Sequence, residues 1–419
     1  MKKGFLIVLL SVLLLMQGTA FGKLFVDISA PGGFKLPIAV VDFLGMNEAS
    51  LVSDVVRQDL ISSGYFTVPD KSTYLETSND PFTLANWKPL GIEAVAKATL
   101  SGSRDNMELV FTLYDAVEDK VILKKKYTST ADLVRPLGHK IASDIFKAIT
   151  GQEGIFSSKL AFVVNGQSSG SIYIMDWDGE RTQKVLTRSG EIMRPIWIPG
   201  TNKLAYSSLR DKRWVIYTFD LGTATEKEIY SSDRTDLAGD FSRDGSTLYF
   251  SSTKSGSPDI LSLSLMSGAI KQIAASRFIE VSPKLSPDGR RIAFVSDASG
   301  SPQIYVMSVD GYNKQRLTFQ GSYNTSPDWS YAGDKIVYTG IKGGQFHIFT
   351  MNVDGSNVTQ LTTEGDNEEP AFSPDGLFIA FVSSRGGGKG IYIMNSDGTN
   401  QRRVSQKSFG ALGPAWSTE

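Results

Sequence analysis

A literal nucleophile-elbow pattern, Gly166-Gln167-Ser168-Ser169-Gly170, is the sharpest chemical signal in this 419-residue chain. G-x-S-x-G presents a serine for acyl transfer when it sits on a strand-to-helix turn with an acid and a histidine downstream. The chain has two histidines, His139 and His347, and only His347 lies downstream. The runs on either side of the serine read as strands, so the motif falls in a strand-to-strand loop and a hydrolase reading is rejected. Gly386-Gly387-Gly388-Lys389-Gly390 lacks the hydroxyl residue and spacing of a phosphate loop and reads as a hairpin connection. Asp176-Trp177-Asp178-Gly179 resembles the start of a calcium loop, but no distal bidentate glutamate completes it, so it reads as a turn. Glu364, Asp366, Glu368 and Glu369 form an acidic cluster that reads as a solvated rim rather than a metal site. His139, near Arg135 and Asp144, reads as a structural surface or interface histidine, because no nucleophile is placed beside it.

Composition narrows the chemistry further. There is no cysteine, which excludes disulfides, thiolate metal sites and cysteine nucleophiles. The formal net charge is −1, and 41 % of residues are hydrophobic. A nucleic-acid footprint needs a basic patch, and this balance supplies none. We assign no catalytic, cofactor-binding or metal-binding residue and expect a binding protein.

The elements that position these residues begin with a leader. Lys2 and Lys3 precede an apolar run, Phe5–Met16, and small residues at Ala20 and Gly22 close it. That is the pattern of a cleavable secretory signal over residues 1–22, too short for a transmembrane helix of ~20 residues. No other segment approaches spanning length, so a mature chain starting at Lys23 is expected to be exported, without a transmembrane segment. Residues 23–35 alternate apolar and polar side chains up to Ser29 and then break at Pro31-Gly32-Gly33. This stretch reads either as an edge strand or as a mobile segment able to add to another protein's sheet.

Residues 36–153 read as an α/β domain. Pro37–Phe43 is a buried strand, and Tyr65–Val68 a second. Between them Asn47–Ser63 has helical spacing, with Asn47 as N-cap and Gly64 as stop. Pro81–Leu90 holds a short helix. Ala94–Gly102, Met107–Asp115 and Val121–Thr128 read as antiparallel strands. Thr130–Ile149 is an amphipathic helix carrying His139.

From Phe156 onward the chain repeats. Ile172, Ile216, Ile260, Ile304, Ile348 and Ile391 start equivalent runs, spaced 44, 44, 44, 44 and 43 residues apart. A period of this length with several short strands is a propeller signature, and residues 156–419 read as an all-β six-bladed propeller. Each repeat holds a Pro-x-aromatic strand, an Ile-Ala-Phe-Val-Ser strand, an Ile-Tyr-x-Met strand and a short strand often ending in Leu-Thr. Asp-Gly pairs such as Asp288-Gly289 and Asp310-Gly311 read as two-residue hairpin links. The first Pro-x-aromatic strand appears only at Pro195, and the last, Pro414–Trp416, ends the chain. The C-terminal strand is therefore expected to complete the first blade and bury both edges.

Up-and-down strands place both sets of Asp-Gly turns on one face and the blade-to-blade links on the other, around the channel mouth. Binding resides most often in such loops on a rigid scaffold. The candidate partner-binding residues at this mouth are Glu191, Met193, Arg234, Asp236, Phe278, Glu280, Tyr323, Asn324, Asp366, Asn367 and Phe409.

The leader, the junction from Arg135 to Thr150-Gly151-Gln152-Glu153-Gly154 and the six repeats together resemble the TolB family, periplasmic components of the Tol-Pal envelope system. The resemblance covers essentially the whole chain. It implies a non-enzymatic periplasmic adaptor supporting outer-membrane integrity and constriction during cell division, with a role in protein import. It implies Pal, the peptidoglycan-associated lipoprotein, at the channel mouth, and TolA at the mature N-terminus, here Lys23, Leu24, Phe25, Val26, Asp27, Ile28 and Ser29. Other outer-membrane proteins are further partners; no cofactor is implied. The alternative is a propeller with hydrolase or lectin-like ligand-binding activity.

Overall fold

The computed structural model describes residues 35–417. The leader and the segment Lys23–Ser29 lie outside the described residues. The N-terminal domain is built on a sheet of β1 (Leu36–Val40), β2 (Leu44–Gly45), β3 (Phe66–Thr67), β4 (Ala94–Ser103), β5 (Asn106–Asp115) and β6 (Lys120–Ser129). The order is β3-β1-β4-β5-β6, with β2 also on β4. β1 runs parallel to β3 and β4, whereas β4, β5 and β6 are antiparallel, as the alternation in the sequence requires.

The helices are α1 (Ala49–Ser63), α2 (Leu84–Trp87) and α3 (Val134–Thr150). α1 stops where Gly64 turns left-handed and its amide donates to the Ile61 carbonyl. Asn47 does not cap α1: the N-cap is Glu48, without a side-chain cap bond. α3 starts later than its apolar spacing suggests, because a 3-10 turn at Ala131–Leu133 precedes it. Gly138 lets α3 approach α1 closely, since a Cβ there would fall 2.7 Å from Val55.

Six four-stranded sheets follow. Five are continuous in sequence; the second, for example, runs Ile192–Trp197, Lys203–Arg210, Arg213–Asp220 and Thr225–Tyr230. The first blade joins Lys159–Asn165, Ser169–Asp176 and Gln183–Ser189 to Ala411–Trp416. Ala411 pairs with Val164 and Trp416 with Leu160, so the ring closes as the count of strands demands. The second and third strands of the sixth blade, Phe378–Ser383 and Gly390–Asn395, are buried along their whole length. That follows from apolar side chains on both faces packing against neighbouring blades.

Two local expectations need correction. In the Asp-Gly turns only the glycine is left-handed (Gly289 φ 70°, Gly311 φ 94°), and its amide closes back on Ser286 or Ser308. These are turns of type I closed on glycine, not two-residue mirror-image turns. The outer strands of the last three blades are only two residues long, at Gln315–Arg316, Thr359–Gln360 and Arg402–Arg403. Leu317-Thr318 and Leu361-Thr362 lie just past them. The threonine hydroxyls accept the Ile304 and Ile348 amides at 2.9 Å, replacing the missing ladder partner.

The N-terminal domain stands on the Asp-Gly-turn face, over the first and sixth blades. One apolar core runs from Val56, Leu60 and Tyr65 through Phe146 and Phe156 to Trp177, Leu377 and Phe378. Phe156 bridges the domains, edge-on to Phe146 and 5.1 Å from the Trp177 ring. Among the described residues no helix is long and apolar enough to cross a membrane.

Candidate functional site: the link face and the channel

The innermost strands carry the channel. In all six blades the pairing between the first and second strand slips near the middle of the innermost strand. Five of these strands hold a left-handed residue there: Arg194, Ser282, Ser326, Glu369 and Gly413, with φ from 51° to 58°. A proline follows each. Proline has no N–H to donate, and an edge strand facing a channel needs none at that point, which accounts for the Pro-x-aromatic motif. The aromatic then wedges between blades. Trp197, Trp329 and Trp416 donate their indole N–H to the carbonyls of Ala415, Lys284 and Ala371 on the preceding blade.

Two cavities of about 280 and 300 Å³ meet at a neck formed by Arg194, Ser282, Ser326 and Glu369. The mouth-side vestibule is walled by Val281, Tyr323, Thr325 and Phe346. The turn-side vestibule is walled by Trp197, Trp329, Trp416 and Tyr331. At the neck Arg194 Nη2 donates to Ser282 Oγ at 2.7 Å, and Glu369 Oε2 accepts the Gly413 amide at 2.7 Å. Behind it Lys284 Nζ stands 3.5 Å from Asp328 Oδ1. Burial works against the Lys284 charge, but Asp328 and Asp240 outweigh it and hold the ammonium above its ordinary value. Asp240 and Asp328 also accept the Leu285 and Phe372 amides of the next blade, so these carboxylates staple blades together.

The candidate mouth residues divide in two. Glu191 and Arg234 are exposed, Met193 and Tyr323 are 39 % and 38 % exposed, and Phe278, Asp366 and Phe409 are half-buried. Phe409 packs 4.9 Å from the Tyr173 ring. Asp236, Glu280, Asn324 and Asn367 are instead buried, and as partner contacts they are corrected. Each opens an innermost strand and points into its own blade, where loop groups need partners. Asp236 accepts Ser252 Oγ and the Ser232 amide, both at 2.6 Å. Glu280 pairs with Lys314, and Asn324 donates to Gln303 and to the Gln320 carbonyl. Asn367 donates to the Gly365 carbonyl and accepts from Arg385. The acidic cluster is similarly engaged: Glu368 pairs with Lys389, and Asp366 accepts the Phe346 amide.

Sequence reading missed Phe319 and Ile279, which are 72 % and 42 % exposed on the links. The signal was present: Phe319 directly follows Leu317-Thr318, where an outer strand ends, and Arg316 stacks on its ring at 5.0 Å. The neck is not marked in the sequence: Glu369 falls in the acidic rim cluster, and nothing local distinguishes Arg194.

His139 is buried at the domain interface, not on the surface. Its Nδ1 lies 2.7 Å from Asp59 Oδ2 of α1, and its Nε2 3.5 Å from Asp176 Oδ2 of the first blade. Burial would pull the imidazole down, but the Asp176 and Asp59 carboxylates facing its two nitrogens and the charges of Asp59 and Asp178 outweigh it and raise it to about 9. Trp177 Nε1 donates to Asp59 Oδ1 at 2.9 Å, Arg135 pairs with Asp178, and Arg181 makes two bonds to Asp176. Asp59, His139 and Asp178 converge within 4.8 Å as metal ligands would. Together with Trp177, Arg135 and Arg181 these groups form a polar network that ties α1 and α3 to the first blade. Asp144 belongs elsewhere, accepting from Tyr127 and Lys125. Ser168 and Ser169 sit in a hairpin closed by the Gly166 amide on the Ser169 carbonyl.

A family model described as the TolB amino-terminal domain matches residues 24–122, and one described as the TolB beta propeller domain matches residues 146–419. The Tol-Pal system protein TolB of Dechloromonas aromatica (strain RCB) is 33 % identical over 218 residues, 52 % of this chain and 51 % of that protein. That of Bordetella avium (strain 197N) is 31 % identical over 225 residues, 53 % of this chain and 51 % of that protein. The chain thus spans about half the length of the curated relatives it matches. A crystal structure of TolB from Acinetobacter baumannii, 29 % identical, superposes with a TM-score of 0.84 over 92 % of this chain and 97 % of that one. A chain of a nidogen–laminin complex, 10 % identical, superposes with a TM-score of 0.51 over 62 % of this chain and 98 % of that one, a likeness of fold alone. With both family domains in order along the sequence and the fold matched over nearly its full length, this chain belongs to the TolB family.

Proposed function

We propose that this chain is a non-enzymatic periplasmic adaptor of the Tol-Pal envelope system. In this reading it binds Pal, the peptidoglycan-associated lipoprotein, on the propeller's link face and TolA through the mature N-terminal segment Lys23–Ser29. One observation carries the reading. The N-terminal domain stacks on the Asp-Gly-turn face, which among the described residues leaves the link face clear, with Met193, Ile279, Phe319 and Tyr323 exposed on it. Exposed aromatics next to arginine are the side chains that most often anchor protein interfaces. Names of the relatives supply the system, Tol-Pal.

The experiment is affinity capture of both partners from envelope extract, repeated with two variants. Phe319→Glu is expected to lose the lipoprotein and keep TolA. Deletion of Lys23–Ser29 is expected to lose TolA and keep the lipoprotein. Capture of both partners by both variants would refute the assignment of the two surfaces.

A further inference from the structure

The neck of the channel holds a cation that forms no ion pair with the described residues, although Glu369 lines the same neck. Arg194 occupies a position that is Ala238, Ser282, Ser326 and Gly413 in four other blades, and it adopts a left-handed backbone (φ 53°). Its one side-chain hydrogen bond among the described residues goes to Ser282 Oγ, although a guanidinium carries five N–H donors. No carboxylate of the described residues lies within 4.0 Å of it. The acids around it are already engaged. Glu369 accepts the Gly413 amide, Glu368 pairs with Lys389 at 2.6 Å, and Asp328 faces Lys284 and accepts the Phe372 amide. Lys284 behind the neck is matched by Asp328 and Asp240, so Arg194 is the cation left for a guest. A bond from the guanidinium to a carboxylate is charge-assisted on both sides and so stronger than a neutral one.

The mouth-side vestibule above Arg194 measures about 280 Å³. Sites for whole small molecules run from ~300 to ~1,000 Å³. A volume at that lower limit admits the tip of a loop or one extended side chain. Tyr323 and Phe346 wall its entrance, with rings 6.0 Å apart, and Thr325 flanks them.

We propose that Arg194 is the floor of a carboxylate subsite, and that a partner docked on the link face inserts an aspartate or glutamate side chain through the vestibule to meet it. The subsite rests on the reading of the link face as a docking surface and adds to it the chemistry of the inserted group. The same chemistry is available to a free anion such as acetate, which the test separates from a protein-borne carboxylate.

The test is calorimetric titration of the mature chain with the ectodomain of its cognate peptidoglycan-associated lipoprotein. Arg194→Gly is the variant of choice. Gly413 fills the equivalent left-handed position in the first blade, so the substitution removes the guanidinium and suits the bulge; a thermal melt checks the fold. On the partner, each surface Asp or Glu is exchanged singly for Asn or Gln. Loss of a hydrogen bond to a charged group corresponds to about a 10- to 100-fold loss of affinity. That loss is expected for R194G, for one partner variant with the wild-type chain, and for their combination without further loss. If R194G binds the ectodomain as tightly as wild type, the subsite is overturned and the docking surface stands. If the wild-type chain does not bind the ectodomain, the docking reading fails. The subsite is then decided by acetate and by N-acetylglutamate amide, followed through the Nε resonance of Arg194. A saturable shift absent from R194G supports an anion site, and no shift overturns it.

Discussion

Asp375→Asn is expected to stabilise the protein, although Asp in a Ser-x-Asp-Gly turn normally helps it. The same turn occurs with Asp244 and Asp288 in exposed positions. There, hydrogen bonds from Ser242 and the Ser246 amide hold Asp244 at about 2, and Ser286 and the Arg290 amide hold Asp288 below its ordinary value. Asp375 has the equivalent bonds, from Ser373 Oγ and the Leu377 amide. Yet burial dominates them and pushes its carboxyl from 3.8 up to about 6. The Asp375 turn lies under the N-terminal domain, and both Asp375 Oδ2 and the nearby Tyr65 phenol are buried without a hydrogen-bond partner. A pKa above the unfolded value means that this group's contribution is fully present below 3.8 and is lost as pH rises through about 6. The ceiling on that loss is ~3 kcal/mol, and partial exposure of the residue brings the expectation nearer ~1–2 kcal/mol. Asparagine keeps the Oδ1 acceptor and carries no charge. Urea denaturation should therefore show D375N more stable than wild type at neutral pH, with the gain vanishing in acid. D288N should show the opposite sign. A D375N protein destabilised at neutral pH to the same extent as D288N would sink the reasoning.

Other consequences are equally open to measurement. His139→Leu leaves Asp59 buried with only Trp177 as partner and should cost ~3 kcal/mol. Because the imidazole is raised to about 9, the wild-type contribution is complete below its ordinary 6.5 and is lost as pH rises through about 9. Calorimetric melts across that range should show the wild type falling toward the variant, and parallel profiles would count against the ion pair. Truncation after Gly410 removes the strand pairing with Lys159–Asn165. Cooperative unfolding should be lost and protease should enter the first blade; an unchanged melting temperature would contradict closure by that strand. Lys97→Met strands Glu76, whose side chain is 3 % exposed and 2.5 Å from the ammonium. A loss of ~3–5 kcal/mol in chemical denaturation is expected, and a neutral effect would mean that Thr83 and Asn86 alone suffice for Glu76.

Much of this architecture is legible in one dimension because its causes are local. A left-handed glycine after aspartate, a proline on a channel-facing edge and a 44-residue beat of buried β-branched residues each follow from backbone sterics and burial within a few positions. Strand arithmetic alone located the closing strand. Even the plain and link faces follow from strand direction.

Where a polar side chain points is a different matter. Asp236 and Glu191 both stand where a blade-to-blade link meets an innermost strand, yet one is buried and the other exposed, because only the folded blade determines which one meets unsatisfied loop amides. The domain interface is made by Asp59, held by His139 80 positions away within its own domain, meeting Trp177 of the first blade 118 positions away. Arg194 reaches Ser282 across 88 positions. The sequence determined the repeat and the places of the turns through short-range steric and hydrophobic rules, and the ring closure through the count of strands. Only the tertiary structure decided which charges are paired, buried or left facing the channel, since electrostatic pairing depends on distances through space that no local pattern encodes.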